Sequence, residues 1–337
     1  MTALAPDFAH ETFIASDSPD RLWRQAIRSG GIVSGGGVLL LVLLCCVLTL
    51  PWTARSGTPT QPRPLFFDQQ NADAPLKPPA LHPFDRWFGT DLLGHSLLGR
   101  CLFGGVISLS IGLAAAGISV FLGVGVGLVA GYRGGWVDSG LMRAVDVLYG
   151  LPYILLVILF KIALEKPLNR LVSSMQWGTS HWVSPSMAAN LIVLFLAIGL
   201  VSWLTMARVV RGQVLSLRAQ PFIEACKATG LKERRIFMRH LLPNLVGPVI
   251  VYATLTVPSA ILQESFLSFL GIGIQPPLPT WGSLASDGLS RALNPINSRW
   301  WLLVIPCTFL AVTLLSLNFL GDGLRDVFDP KREAAKV

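Results

Sequence analysis

Residues 101–132 read CLFGGVISLSIGLAAAGISVFLGVGVGLVAGY, an apolar run closed by Arg100 and Arg133 with no charge between them. About 20 residues of helix cross a bilayer core, so this run is long enough to span one and too uniformly apolar for a soluble amphipathic helix. Five further apolar segments lie around it, at 32–50, 142–164, 187–207, 245–267 and 300–320. The third has the shortest uncharged centre, 147–160, and needs Lys161 to reach toward the headgroups. The chain as a whole is 52% hydrophobic and 14% charged, roughly half the charge of a soluble domain. These observations predict an all-α integral membrane protein with about six transmembrane helices.

The segments divide the chain into a cytoplasmic stretch 1–31, a first transmembrane helix 32–50, an external loop 51–100, a core 101–324 with five more spans and a loop 208–243, and a cytoplasmic tail 325–337. Arg21, Arg24 and Arg28 precede the first span. A cleaved signal has that order of features, but its apolar region is only about 7–15 residues long; the longer run here predicts a signal anchor. Pro59, Pro62, Pro64, Pro75, Pro78, Pro79 and Pro83 predict that the external loop is extended rather than a compact domain. Pro152, Pro258 and Pro306 fall inside spans and predict kinks. Residues 265–286 are uncharged yet broken by Gly271, Gly273, Pro276, Pro277 and Pro279, which predicts a surface or re-entrant loop. At the inner end of the third span, Arg143 and Asp146 are expected to pair.

The net charge of +8 raises the possibility of a nucleic-acid partner. With the N-terminus cytoplasmic, however, most of the 27 Lys and Arg fall on the cytoplasmic side, as topology alone requires. No nucleic acid is needed to explain them. The five cysteines form no CxxC pair and read as small buried hydrophobes, with no metal site. There is no Gly-x4-Gly-Lys-Ser/Thr loop for ATP, and no HExxH or GxSxG for catalysis. The glycines at 35–37 and at 123, 125 and 127 sit inside spans and read as close helix packing. Polar side chains inside spans mark the candidate solute pathway, because lipid would leave them unsatisfied: Gln263, Glu264, Ser265 and Ser268 near the outer end of the fifth span, and Asn318 in the sixth. For Glu264, a place among the headgroups is an equal expectation.

The loop between the fourth and fifth spans reads PFIEACKATGLKERRIFMRHLLPN over residues 221–244. Pro221 suits a first helical turn, Glu224 the positive end of the dipole, and Gly230 a left-handed helix stop. A second basic helix follows, and Pro243 opens the next span. The result is a helix–turn–helix knob whose apolar positions Phe222, Ala225 and Cys226 need a partner. Physics alone allows that partner to be another protein or anionic lipid.

Glu224-Ala225-Cys226, then Gly230, then Leu242-Pro243 resembles the EAA loop of ATP-binding-cassette importer permeases, with Cys226 at the second alanine. Other blocks resemble the second membrane subunit of the dipeptide/oligopeptide/nickel permease family, of the oligopeptide permease C kind: 88–94 FGTDLLG, 131–138 GYRGGWVD, 264–271 ESFLSFLG, 275–282 QPPLPTWG and 321–326 GDGLRD. His95-Ser96 departs from the family's charged pair, and the connection at 165–186 is long for the family. The resemblance implies an inner-membrane subunit of a prokaryotic importer for peptides or related solutes, both termini cytoplasmic. It also implies four kinds of partner: a second homologous permease, two cytoplasmic ATPases, an extracytoplasmic binding protein and the peptide itself. ATP and Mg would be used by the ATPases, with no cofactor on this chain. By the same resemblance Phe222, Glu224, Ala225, Cys226, Gly230 and Pro243 belong to the element that couples to the ATPases. A secondary transporter or a membrane scaffold is the alternative; neither accounts for the knob, and no internal repeat supports the former.

Overall fold

A computed structural model describes residues 29–54, 65–174 and 185–328. The basic residues Arg21, Arg24 and Arg28, the prolines 59, 62 and 64, most of the tail, and 175–184 of the connection at 165–186 lie outside the described residues. Nine helices organise the rest: α1 Gly30–Leu48, α2 Leu97–Arg133, α3 Gly135–Tyr149, α4 Tyr153–Ser174, α5 Pro185–Arg218, α6 Pro221–Ala228, α7 Glu233–Phe269, α8 Trp281–Ala292 and α9 Trp301–Phe328. Five of them, α1, α2, α5, α7 and α9, are each long and apolar enough to cross a membrane, and the bent pair α3–α4 brings the number to six if its two helices count as one broken span.

The scaffold is the pair α2–α5, the most extensive helix contact among the described residues. Glycines at a four-residue interval allow it. A Cβ on Gly123, Gly127 or Gly131 would fall 2.5 to 2.8 Å from the backbone or side chains of Met206, Ala207 and Val214 on α5. Gly125 points away and has nothing within 4 Å, so only part of the predicted glycine set serves packing. In the same way Gly31 and Gly35 bring α1 against α9: a Cβ on Gly35 would lie 2.6 Å from the carbonyl oxygen of Ser316.

The third span is not the single kinked helix predicted at 142–164. Its two helices meet at 98°, because Pro152 lacks an N–H and pushes Leu151 out of helical geometry. The pairing expected between Arg143 and Asp146 also differs. Asp146 accepts from Arg208 Nη2 of α5 at 2.8 Å, and that guanidinium lies over the Tyr149 ring at 3.9 Å. One turn further along α5, Arg211 grips Asp138 of α3 through both Nε and Nη2. Two arginines of one face thus fasten α3 to α5 before the bend.

The loop at 65–96 corrects the extended expectation. Phe67 is buried and stacks on Phe103 of α2 with ring centroids 4.4 Å apart. Thr90 is buried as well: its hydroxyl donates to the Ala74 carbonyl and accepts from Lys77 N–H. Prolines limited this segment to turns, but its aromatic residues gave it apolar surface to bury. The loop 270–280 is partly exposed, at Leu270, Gly271, Gln275 and Pro276, and partly packed. Ile274 and Leu278 are buried, and Thr280 caps α8 in a reciprocal capping box with Ser283.

Candidate functional site

The knob is built as its residues dictate. Pro221 opens α6, and Gly230, at φ +70°, stops it. The Leu231 N–H bonds to the Cys226 carbonyl and the Gly230 N–H to that of Lys227, the paired hydrogen bonds of a Schellman stop. No atom lies within 4 Å of a Cβ placed on Gly230, so the requirement for glycine there is conformational and not steric.

Ile223 holds the knob to the bundle. It is fully buried with Tyr132, Val210, Val214, Ile236 and Leu241, and Cys226 packs against the same cluster. The sequence reading chose Phe222, Ala225 and Cys226 as the apolar face and passed over Ile223, although its position between Phe222 and Glu224 was visible. In the structure Phe222, Glu224 and Ala225 are exposed and form an open face on the end of the molecule. Beyond the knob, α7 starts at Glu233 and carries a π-helical turn at Phe237–Leu241. Pro243 explains that turn: its ring crowds the carbonyl four residues back, and a widened turn relieves the clash.

Midway along the bundle, the bend between α3 and α4 leaves a cavity of about 530 Å³ against α5 and α7. The polar lining comes from three directions. Tyr149 and Tyr153 flank the bend, Ser202 and Thr205 face them from α5, and Tyr252, Thr256, Ser259 and Gln263 run along one face of α7. The remaining lining is aliphatic, and no carboxylate, ammonium, guanidinium or imidazole group is among it. Ser202, Thr256 and Ser259 each donate to a carbonyl one turn back on their own helix. Their oxygens therefore still offer lone pairs to a guest. Tyr252 and Ser259 are exposed in the lone chain, as is Leu151, so the cavity opens to one side. Polar groups bare to hydrocarbon are costly, and such a face needs a protein or aqueous neighbour.

Of the predicted pathway residues, only Gln263 lines this cavity. Glu264 is fully buried on a different face of α7, among neither headgroups nor cavity lining. Its Oε1 accepts from Ser268 at 2.7 Å and from Thr280 at 2.8 Å, while its buried Oε2 has no hydrogen-bond partner. Ser265 is buried beside it and donates to its own helix. This cluster ties the end of α7 to the capping residue of α8, a structural position. Asn318 is exposed on the outer face of α9, away from the cavity lining. Sequence reasoning missed the rest of the lining, although the 252–256–259–263 spacing of polar residues was a readable helical stripe.

At the end of the bundle away from the knob, Asp91 lies between His95 Nδ1 at 2.7 Å and Arg100 Nη1 at 2.6 Å. Burial works against its charge, but the His95 hydrogen bond and the Arg100 guanidinium outweigh it and hold the carboxyl below its ordinary value. His95 thus gives Asp91 a second partner beside Arg100. No group of metal-ligating residues occurs among the described residues.

Residues 123–334 match the family described as "Binding-protein-dependent transport system inner membrane component". The chain is 44% identical over 247 residues to a dipeptide transport system permease protein of Bacillus subtilis, covering 73% of this chain and 69% of the relative. It is 47% identical over 245 residues to an oligopeptide transport system permease protein of Escherichia coli, covering 73% and 72%. The corresponding oligopeptide permease protein of Haemophilus influenzae is 43% identical over 246 residues, 73% and 70% of the two chains.

Proposed function

This chain belongs to the binding-protein-dependent transport system inner membrane component family, and on that footing we propose that it is one of two membrane subunits of an ATP-driven importer for peptides. It is a multi-pass permease of the inner membrane. The cavity between α3, α4, α5 and α7 is its half of the translocation pathway, with a second homologous permease covering the open side. The knob at 221–230 faces the cytoplasm, as do both termini, and seats in one of two ATPases. An extracytoplasmic binding protein delivers peptide to the opposite end. ATP hydrolysis, with its Mg, belongs to the partner subunits.

The observation that carries this reading is the division of labour on α6. Ile223 anchors the helix inward while Phe222, Glu224 and Ala225 stay exposed on one small, stiffly capped element. An amphipathic helix meant for lipid would present a basic rim around a broad apolar face. Here the open face is short, carries an acidic residue and suits a protein cleft. The uncharged cavity fits the same function, since hydroxyls and a carboxamide can hydrogen-bond a peptide backbone without regard to its side chains.

Co-purification tests the proposal. Extracted in mild detergent, the tagged chain should bring with it two ATPases and a second permease, and peptide-loaded binding protein should stimulate ATP turnover. A chain that purifies alone, under conditions where a known importer stays intact, refutes it.

A further inference from the structure

The polar cavity is not the only hollow between α4 and α7. A second, mostly apolar one of about 270 Å³ lies beside it, lined by Ile154, Val157, Leu262, Phe266 and Leu267 besides two polar side chains. Tyr153 and Gln263 line both cavities, so this pair is the partition between them. The Tyr153 hydroxyl donates to Gln263 Oε1 across the gap. Further toward the end away from the knob, Lys161 Nζ of α4 donates to the carbonyls of Ile272 and Gly273, just past the end of α7. Over its length α4 packs on α5 and reaches α7 through these side chains. The seam therefore runs from polar cavity to Tyr153–Gln263, to apolar cavity, to Lys161.

We propose that the Tyr153–Gln263 hydrogen bond is a bar that closes the polar cavity toward the end of the protein opposite the knob. Lys161 latches the same seam further out, and α4 is the element that moves. The argument is one of connectivity and chemistry. With the bar broken, the two hollows become one passage along α7. The bar consists of two neutral groups, so breaking it strands no charge in a dry interior, and the cost is that of a single neutral hydrogen bond. At the bend Gly150 and Leu151 bond back to Asp146 and Leu148 of α3, while Pro152, immediately before Tyr153, has no N–H to bond, which gives α4 a pivot at the Leu151–Pro152 junction. Tyr153 and Gln263 are positioning residues here: they set which side of the cavity is open. The proposal rests on the translocation reading of that cavity and adds to it the identity of the closure.

The test is accessibility, read on the full chain in its native membrane. Ser259→Cys places a thiol on the polar cavity wall, and a membrane-impermeant maleimide is applied from the face opposite the knob. The labelling counted is the excess over the chain without that cysteine. Adding Tyr153→Phe should speed labelling about fivefold, the factor by which losing one neutral hydrogen bond shifts a two-state equilibrium. Gln263→Leu should do the same, and neither should change labelling from the knob side. Unchanged rates with both variants overturn the bar, as does rapid labelling before either is introduced. The readout needs neither peptide nor ATP turnover. A chain that lacks ATPase partners but shows faster labelling would refute the importer reading and leave the bar standing.

Discussion

Gly127→Ala compared with Gly125→Ala isolates the packing of α2 on α5. The two glycines stand two residues apart on one helix, so the change in helix propensity, about 1 kcal/mol in favour of alanine, is common to both and cancels. What remains is local geometry. A Cβ on Gly127 would lie 2.5 Å from the Ala207 carbonyl oxygen, 2.8 Å from Val210 Cβ and 3.0 Å from the Arg211 nitrogen, while Gly125 has nothing within 4 Å. The shortest approach falls about 1 Å inside resting van der Waals separation. Two of those three neighbours are backbone and cannot rotate aside, so the helices must part. Overpacking of this kind costs about 1–3 kcal/mol. At about 2–4 °C per kcal/mol for a domain of this size, Gly127→Ala should melt several degrees below Gly125→Ala. Thermal unfolding of the purified protein in mild detergent measures the difference. If Gly127→Ala melts at or above Gly125→Ala, the close approach of α2 and α5 is wrong.

Three further outcomes follow from the geometry. Gly230→Val forces a β-branched residue to φ +70°, a conformation costing L-residues about 1–2 kcal/mol; it should abolish transport-coupled ATP turnover while leaving membrane insertion and yield intact, and normal transport by this variant counts against the knob's role. Asp91 is held below its ordinary carboxylate value, so its contribution to stability is full above about pH 4 and is lost as pH falls through the lower folded value. Asp91→Asn should therefore lower the melting temperature at neutral pH and flatten its decline at acid pH, read from melting curves across that range. Trp281 is fully buried and donates Nε1–H to the Cys101 carbonyl at 2.9 Å. Trp281→Ala should cost about 3–5 kcal/mol and prevent recovery of folded protein, with Trp281→Phe clearly milder in a yield and melting comparison.

The spans were legible because hydropathy and length are additive along the chain, and the knob because caps and glycine stops are local. Pro152 announced a disturbance in the third span, but a 98° bend depends on what α4 can pack against afterwards, which no local pattern reports. The loop at 65–96 misled for a related reason. Its prolines advertised extension, while the partner for Phe67 lies on α2 at Phe103. In the candidate site, polarity inside spans singled out a cluster of which only Gln263 lines the cavity. Gln263 and Glu264 are neighbours in sequence and lie on different faces of α7, one in the cavity and one in the packed interface with Thr280. Counting polar residues groups them; following the helical period from Tyr252 separates them. Asn318 has no such periodic company and lies outside the cavity lining.

The uncharged lining of the cavity has a consequence for energetics across a polarised membrane. Moving one elementary charge through the full potential is worth about 2.3 kcal/mol per 100 mV. A pathway that carried its own carboxylates or amines would move part of that charge whenever it switched sides, and its rate would then respond to voltage with any cargo. The lining here, Tyr, Ser, Thr and Gln among aliphatics, moves none. On the proposed pathway, the cavity wall therefore adds nothing to voltage dependence, which comes from the net charge of the passenger and from Lys161, carried on α4.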